Sequence, residues 1–279
     1  MRQPLTDWIG RQETTDDRIT AAPLAGWRAT LDKPDGPAQD GEVLPPLTHW
    51  LYFLPRARAS DIGPDGHPRR GGFLPPVDLP RRMWAGGRVR FHQPLRVGEA
   101  VRRVSTIKDV REKTGRSGAL VFVVVEHRID GPGGLAIIEE HDIVYRDLPA
   151  ADAPPSPPRA SDKAAVWHEP MRADPVLLFR YSALTFNGHR IHYDRTYAVE
   201  EEGYPGLVVH GPLIATLLAD LAARHAGGRA LTRFDYRVER PIFDVDPFSL
   251  NGAPVGERAA ELWSLDHSGA VSMVAEAEW

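Results

Sequence analysis

Two histidines lie three positions apart, beside an asparagine and an aspartate, in the segment TFNGHRIHYD at residues 185–194. Imidazole exchanges its proton near neutral pH, so His189 and His192 are candidates for acid/base chemistry. They could also be two ligands of a metal, because a helix would bring residues i and i+3 to one side. Gly188 interrupts such a helix, and no further histidine and acid cluster repeats the spacing. The sequence therefore favours acid/base chemistry without a metal, with a solvated polar loop as the alternative.

A glycine and a proline stand at the predicted start of an apolar helix that follows this segment. The stretch GYPGLVVHGPLIATLL places Gly211 and Pro212 there, and proline is favoured in the first turn of a helix. Backbone N–H groups of a first turn have no partner within the helix and can bind an oxyanion. His210 is predicted to cap this helix with its side chain. One segment thus offers imidazoles and the other offers hydrogen-bond donors.

Apolar and β-branched patterns predict the elements that carry these groups. Three β-branched segments in residues 87–147 predict three or four antiparallel strands. In the C-terminal part, VLLFRYSAL predicts a strand, and LIATLLADLAARHAGG predicts a helix that ends at the glycines, followed by further strands. The apolar face of that helix comprises Leu213, Ile214, Leu217, Leu218 and Leu221. Near the N-terminus, LTDWIGRQETTDDRIT and PPLTHWLYFLP predict short helices.

Two segments rich in proline divide the chain. Residues 147–165, DLPAADAPPSPPRASDKAA, have the composition of a linker. We therefore predict an N-terminal domain over 1–148, a linker over 149–165 and a C-terminal domain with the imidazoles over 166–279. Residues 55–87 hold too much proline and glycine for regular structure, and so long a loop is predicted to cover a ligand.

The two parts also share an order of elements. FHQPLRVGE at residue 91 and VERPIFDVD at residue 238 each join a strand end, a proline, an apolar pair and an acidic turn. This repetition predicts a pseudo-dimer within one chain, in which each half packs a sheet against a helix.

The composition excludes several classes of protein. The chain has no cysteine, which excludes disulfides, thiol nucleophiles and thiolate-bound metals. Its net charge of −4 argues against general binding to nucleic acid. It has no apolar run of membrane-spanning length, and its first residues include acids rather than a long apolar stretch, so we predict a cytoplasmic protein without a membrane segment.

The two functional stretches together resemble the MaoC-like, R-specific enoyl-thioester hydratase family. The hydratase motif of that family runs Ser or Thr, Gly, Asp, any residue, Asn, Pro, an aliphatic residue, His, and Asp two positions on. Thr185, His192 and Asp194 match it, whereas Asn187 stands where the family has its catalytic aspartate. The helix start HGPL matches the HGM of the family. The loop segment GGFLPPVDLPRRMWAGG is similar to a branch that includes itaconyl-CoA hydratases, mesaconyl-C4-CoA hydratases and 3-hydroxyacyl-thioester dehydratases type 2.

The resemblance implies an α+β fold of the double hot-dog type, in which two antiparallel sheets each wrap a helix within one chain. It implies a hydro-lyase that adds water to an α,β-unsaturated acyl-CoA, with itaconyl-CoA or mesaconyl-C4-CoA going to citramalyl-CoA. A 3-hydroxyacyl-thioester dehydratase of fatty-acid type is the alternative within this chemistry. A hot-dog thioesterase and a noncatalytic acyl-CoA binding module are alternatives outside it. No cofactor is implied beyond the coenzyme A of the substrate, and two chains could pair as a homodimer.

The resemblance also assigns roles to residues. His192 would be the base that activates water, Asn187 would hold that water, and the Gly211 N–H would bind the thioester oxygen. An acid/base or orienting role is open for His189, Tyr181 and Asp194, with packing or a structural hydrogen bond as the alternative. The candidates for binding coenzyme A are Arg81, Arg82, Arg88, Arg90 and Arg237.

Two further points concern substrate recognition. Either Arg81 or Arg82 could bind a substrate carboxylate if the acyl group is a dicarboxylate. The N-terminal half has no counterpart of FNGHRIH and is expected to supply substrate binding and structural support.

Overall fold

Ten antiparallel strands form one continuous sheet in the computed structural model, which describes residues 3–34, 36–115, 118–147 and 158–279. The strands are β1 Gln12–Arg18, β2 Arg81–Phe91, β3 Ala100–Gly115, β4 Gly118–Gly131, β5 Gly134–Arg146, β6 Trp167–Met171, β7 Arg233–Val238, β8 Phe248–Pro254, β9 Ala259–Leu265 and β10 Val271–Glu278. The α-helices are α1 Ala21–Thr30, α2 Pro175–Leu184 and α3 Gly211–His225. Shorter 3-10 helices span Leu5–Trp8, Thr48–Leu51, Ala59–Asp61 and Arg190–His192, and a π-helical turn spans Tyr197–Glu201.

The order of the strands shows two equivalent halves. It runs β1-β3-β4-β5-β2 and then β7-β10-β9-β8-β6, so each half repeats the other in reverse across the β2–β7 pair. This confirms the pseudo-dimer within one chain, and the antiparallel sheets of the two halves join edge to edge as one continuous sheet. The edges join because Gly86 and Gly87 pair with Arg237 and Tyr236, and a side chain at either glycine would collide with Tyr236.

The predicted domain boundaries stay a prediction. Residues 148–157, which include the predicted boundary and most of the predicted linker, lie outside the described residues. The described remainder of the linker, 158–165, contains one isolated bridge, between Ala160 and Ala270, and no helix or strand.

The helix α3 forms as its sequence predicts. Pro212 lies in the first turn, where its missing N–H costs nothing, and Gly227 and Gly228 follow the helix with left-handed backbone angles of φ 64° and 79°. All five residues of the predicted apolar face are buried, and the helix packs against β7, β8, β9 and β10. This helix fills the concave side of the C-terminal half.

The segment 176–184 is a helix, so the predicted strand is wrong. Asp174 accepts a hydrogen bond from the Leu177 N–H at 2.8 Å, and Pro175 lies in the first turn. This N-terminal cap favours a helix more strongly than the apolar run favours a strand. The buried residues, Leu178, Tyr181 and Ser182, have helical spacing.

Among the described residues, the N-terminal half lacks a long central helix. Between α1 and β2, where the C-terminal half has α3 between α2 and β7, the described chain makes only the short 3-10 helices Thr48–Leu51 and Ala59–Asp61, and the predicted helix near residue 5 is also a single turn followed by β1. The turn Thr48–Leu51 is held by Glu139 on β5, which accepts hydrogen bonds from His49 Nε2 and Trp50 Nε1, each at 3.0 Å. Burial opposes the charge of this carboxylate, but the bond from His49 and the nearby imidazoles lower the pKa of Glu139 to about 2.

The predicted loop over residues 55–87 ends earlier than expected, because β2 begins at Arg81. The N-terminal part of the loop folds back on itself through a bridge between Ile62 and Pro68. Within the described ranges, every helix is too short or too polar to cross a lipid bilayer.

Replacing Glu139 by alanine should lower the free energy of unfolding by about 3–5 kcal/mol, because His49 and Trp50 would keep buried polar groups without their partner. Urea denaturation followed by circular dichroism would measure the loss. The control is Glu140→Ala at the next position of β5, where the carboxylate pairs with Arg88 and Lys108 and its side chain is 22% exposed. That change should cost ~0.2–1 kcal/mol. Equal losses would show that Glu139 does not anchor the turn.

Candidate active site

Four histidines form a row between the long N-terminal loop and the start of α3. Ring centroids lie 4.0 Å apart for His67 and His189, 5.5 Å for His189 and His192, and 3.8 Å for His192 and His210. The structure thus brings the two histidines predicted from the sequence together. It adds His67 from the N-terminal half and His210 from the residue before α3.

His192 is held with one ring nitrogen free for chemistry. Its Nδ1 lies 2.7 Å from the Val208 carbonyl oxygen, which can only accept, so Nδ1–H donates and Nε2 keeps its lone pair. Burial lowers the pKa of His192 to about 4, against the opposing effect of the hydrogen bond to Val208. The imidazole is therefore neutral at physiological pH and can accept a hydrogen bond from water.

His210 does not cap α3 with its side chain, so that prediction is wrong. Its Nε2 lies 2.8 Å from the Ser182 hydroxyl on α2, and its ring stacks on His192 with 19° between the planes. Its Nδ1 is buried without a hydrogen-bond partner in the described part of the chain. The side chain turns toward α2 because that helix, absent from the sequence-based prediction, supplies the hydroxyl. Burial holds the pKa of His210 well below its usual value.

The first turn of α3 keeps a free donor at Gly211. Among the described residues, its N–H has no hydrogen-bond partner, and Pro212 has no N–H to offer. A Cβ at Gly211 would lie 2.6 Å from the Trp84 ring, which packs over the helix start from β2. The position therefore requires glycine, and the donor lies beside the residue that stacks on His192.

Two turns, each closed by an Asp or Asn side chain, place the rings of His67 and His189 close together with 42° between their planes. Asn187 Oδ1 accepts the His189 N–H at 3.0 Å, and Asp65 Oδ1 accepts the His67 N–H at 3.0 Å. A side chain at Gly66 would overlap the Gly188 carbonyl. The segment Asp-Gly-His at 65–67 resembles Asn-Gly-His at 187–189, but FNGHRIH directly follows α2 whereas 65–67 lie far beyond the end of α1. The absence of an FNGHRIH counterpart from the N-terminal half therefore stays a prediction. The shared triplet was a signal that the sequence held.

Asp65 also binds the ring of His67, with Nδ1 and Oδ2 3.1 Å apart. Burial opposes ionisation of Asp65, but the side-chain and backbone hydrogen bonds from His67 outweigh it and lower the pKa of the carboxyl. For the two imidazoles, burial acts in the opposite direction: it lowers the pKa of His67, and it lowers the pKa of His189 to about 2. The row is thus one carboxylate beside neutral imidazoles. Side-chain donor atoms of Asp65, His67 and His189 lie within 4.8 Å of one another, and the expected absence of a metal stays a prediction.

Three other residues of the motif support the site rather than line it. Tyr181 is buried against His210 with ring centroids 5.0 Å apart, and burial raises the pKa of its hydroxyl. Asp194 accepts from the Arg190 guanidinium at 2.7 Å and from the Tyr197 N–H at 3.1 Å. Thr185 donates to the Tyr181 carbonyl at 2.8 Å at the end of α2. These contacts agree with the packing alternative for Tyr181 and Asp194.

Comparison with known proteins decides the family. The model of the family described as hydroxyacyl-thioester dehydratase type 2 matches residues 47–244. Mesaconyl-C(4)-CoA hydratase of Chloroflexus aurantiacus is 50% identical over 271 residues, which cover 97% of this chain and 96% of that protein. The chain belongs to the hydroxyacyl-thioester dehydratase type 2 family.

Solved structures similar to this hydroxyacyl-thioester dehydratase type 2 family member show the fold. A MaoC-like dehydratase from Phytophthora capsici has a TM-score of 0.70 at 14% identity, with 98% of each chain covered. A Mycobacterium tuberculosis protein described as a double hot-dog has a TM-score of 0.60 at 13% identity, with 99% of this chain and 98% of that chain covered. The predicted double hot-dog fold is confirmed.

In this family member, the five predicted arginines separate into two groups. Arg82 bonds the Tyr145 hydroxyl, acts on His67 and His189 through its charge, and lines a cavity of 640 Å³. The other four are held in ion pairs: Arg81 with Glu202, Arg88 with Glu140 and Asp142, Arg90 with Asp235, and Arg237 with Glu239.

Two of these paired arginines lie at a second cavity. Arg88 and Arg237 line a space of 520 Å³ at the β2–β7 pair, together with Lys163 and Arg233. Binding of coenzyme A by any of the five arginines, Arg81, Arg82, Arg88, Arg90 and Arg237, stays a prediction.

Replacing Gly66 by alanine should separate the two matching turns. The new methyl group would overlap the Gly188 carbonyl and disturb the 2.9 Å bond from the Arg190 N–H to the Asp65 carbonyl. We expect hydrogen exchange at Arg190 to rise by about fivefold, since such a bond contributes about 1 kcal/mol. Mass spectrometry of peptides covering 185–194 would measure it.

The control for this change is Gly71→Ala in the same loop. Gly71 also has a left-handed φ, 96°, but a Cβ there would meet nothing within 4 Å. Both variants carry the same type of backbone strain. If exchange at Arg190 rises equally in both, strain rather than the contact between the turns explains the effect.

Proposed function

We propose that this protein hydrates mesaconyl-C4-CoA to citramalyl-CoA, with itaconyl-CoA as the alternative dicarboxylyl substrate. The 50% identity to a mesaconyl-C(4)-CoA hydratase over nearly the whole chain supports both the hydro-lyase class and this substrate. The observation that carries the proposal is structural. A neutral imidazole with a free Nε2, His192, lies against the start of a helix that offers a free N–H at Gly211.

The two groups suit the two ends of the reaction. When water adds to an unsaturated thioester, negative charge develops on the carbonyl oxygen. The Gly211 N–H, at the positive end of the α3 dipole, would bind that oxygen. His192 Nε2 would accept a hydrogen bond from the attacking water and fix it beside the double bond. Asn187 would act mainly through its loop, since its side-chain oxygen already bonds the His189 N–H.

Arg82 provides a reason for a dicarboxylate substrate. It lines the 640 Å³ cavity, its charge acts on His67 and His189, and it would pair with the second carboxylate of the acyl group. The neighbouring Arg81 is already engaged, because it pairs with Glu202 at 3.4 Å and lies 5.6 Å over the Tyr204 ring. Of these two sequence candidates, we therefore propose Arg82 for the carboxylate.

The second candidate function is dehydration of a 3-hydroxyacyl thioester of fatty-acid type, which the family description favours. The same imidazoles and donor would serve it in reverse. A panel of mesaconyl-C4-CoA, itaconyl-CoA and a medium-chain 3-hydroxyacyl-CoA, followed by mass spectrometry, distinguishes the two. We expect the first to gain the mass of one water and to be turned over fastest. Faster loss of water from the medium-chain ester would favour the second function. Release of free thiol would indicate a thioesterase, and no turnover would indicate a binding module.

The substitution Arg82→Ala should raise KM for mesaconyl-C4-CoA by about 10–100-fold, which corresponds to a charged hydrogen bond of about 1.5–3 kcal/mol. KM for crotonyl-CoA, which has no second carboxylate, should change little. Arg81→Ala is the matched control and should affect both esters weakly. Steady-state kinetics with the two esters measures this. Equal changes in KM for both esters in Arg82→Ala would show that Arg82 does not bind the second carboxylate.

A cytoplasmic location and pairing of two chains as a homodimer stay predictions from the sequence.

A further inference from the structure

A hydrogen-bonded Asp–His pair reaches the row of imidazoles from the N-terminal half. We propose that Asp65 and His67 form the acid/base dyad of the hydration, and that they supply the carboxylate missing at Asn187. This inference rests on the proposed function and adds residues that lie outside the FNGHRIH motif.

The geometry of the pair is that of an oriented base. The bond of 3.1 Å between His67 Nδ1 and Asp65 Oδ2 makes Nδ1 the donor, so Nε2 carries the lone pair. A carboxylate in this position fixes the tautomer and stabilises the imidazolium that forms when the ring takes a proton. The His67 side chain is 23% exposed, so it is not sealed within the core.

The other imidazoles of the row have no such partner. His192 donates to a carbonyl oxygen and His210 bonds a hydroxyl, both uncharged groups. Among the described residues, Asp65 is the one carboxylate that acts on the charge of these rings. His192 can therefore hold water, whereas His67 can share a new positive charge with the carboxylate that is hydrogen-bonded to its ring.

Several contacts fix the pair against the motif. The Arg190 N–H donates to the Asp65 carbonyl at 2.9 Å, and its guanidinium donates to the Pro64 carbonyl at 3.1 Å. The Gly63 N–H donates to the His67 carbonyl at 2.7 Å and closes the turn. The loop is thus tied to the C-terminal half on the side of His189.

The charges around His67 couple proton uptake to substrate binding. The Asp65 carboxylate favours a proton on the His67 ring, and the charges of Arg70 and Arg82 oppose it. A positive charge on His67 would in turn oppose protonation of the neighbouring His189 and His192. The positive charge of Arg82 opposes protonation of His67. A substrate carboxylate bound to Arg82 would cancel that opposition, so the base would gain strength when the substrate is present.

The proposed step balances as follows. A water held by His192 loses a proton to His67 Nε2, and its oxygen forms the bond to the β-carbon. The electron pair of the C=C bond moves toward the thioester oxygen, where the Gly211 N–H stabilises the enolate. The enolate collapses to the carbonyl as the α-carbon takes the proton from His67, which restores the dyad. No oxidant, reductant or further reactant enters.

The test compares His67→Ala and Asp65→Asn with wild type on mesaconyl-C4-CoA. We expect kcat to fall by about 10²–10⁴-fold in His67→Ala, as for the loss of a general acid/base group, with KM changed far less. In Asp65→Asn, kcat should fall less. The acid limb of its pH profile should move to lower pH, because the hydrogen bond that His67 donates to the Asp65 carboxylate raises the pKa of His67 and its loss lowers that pKa. A purely structural role would leave the limb in place.

The matched control is His267→Ala, which removes an exposed histidine paired with Asp246 at 3.3 Å in a turn between strands. It should keep wild-type kinetics. Unchanged kcat in His67→Ala overturns the dyad while leaving the hydratase intact. The dyad is also overturned if wild type loses activity in EDTA and carries one equivalent of metal by elemental analysis. Failure of wild type to hydrate any ester overturns the proposed function and the dyad together.

Discussion

The pairing of β2 with β7 is the interaction on which the site depends. Two glycines, Gly86 and Gly87, let the edges of two half-sheets approach closely enough to form one sheet. The register of this pairing carries Trp84 over the start of α3 and leaves Arg82 close enough for its charge to act on His67 and His189. The loop that precedes β2 therefore lies against the C-terminal motif. A site with residues from both halves thus follows from one strand pairing.

The two halves share a topology but differ in the helix that precedes their central strands. The C-terminal half keeps a long buried helix, whose free first turn offers a donor at Gly211. In that place, the described N-terminal half has only short 3-10 turns, of which Thr48–Leu51 is held by the buried Glu139. The cavity beside Arg82 opens on this side of the molecule. The absence of a long helix among the described residues of this half is therefore consistent with space for an acyl group there.

Local signals in the sequence predicted much of this structure. The periodic leucines, the proline and the closing glycines defined α3, and the β-branched runs defined the strands, because those patterns depend only on neighbours along the chain. The strand predicted for 176–184 is wrong because the N-terminal cap at Asp174 favours a helix more strongly than the apolar run favours a strand. His192 and Gly211 were found from the motif and the helix start.

The remainder of the site required contacts between distant residues. Nothing in the sequence around His67 shows that its ring centroid lies 4.0 Å from that of His189, since that contact depends on the strand pairing. The role of Arg82 likewise differs from that of Arg81 only through the side of β2 on which each lies. The shared Asp-Gly-His and Asn-Gly-His triplets were visible, but their significance lay in the way the two turns meet.

The close approach of Gly66 and Gly188 restricts substitution at both positions. A Cβ on either glycine would meet the backbone of the other turn. Because the obstacle is backbone, no change of side chain in the opposite turn could make room for a larger residue at either position.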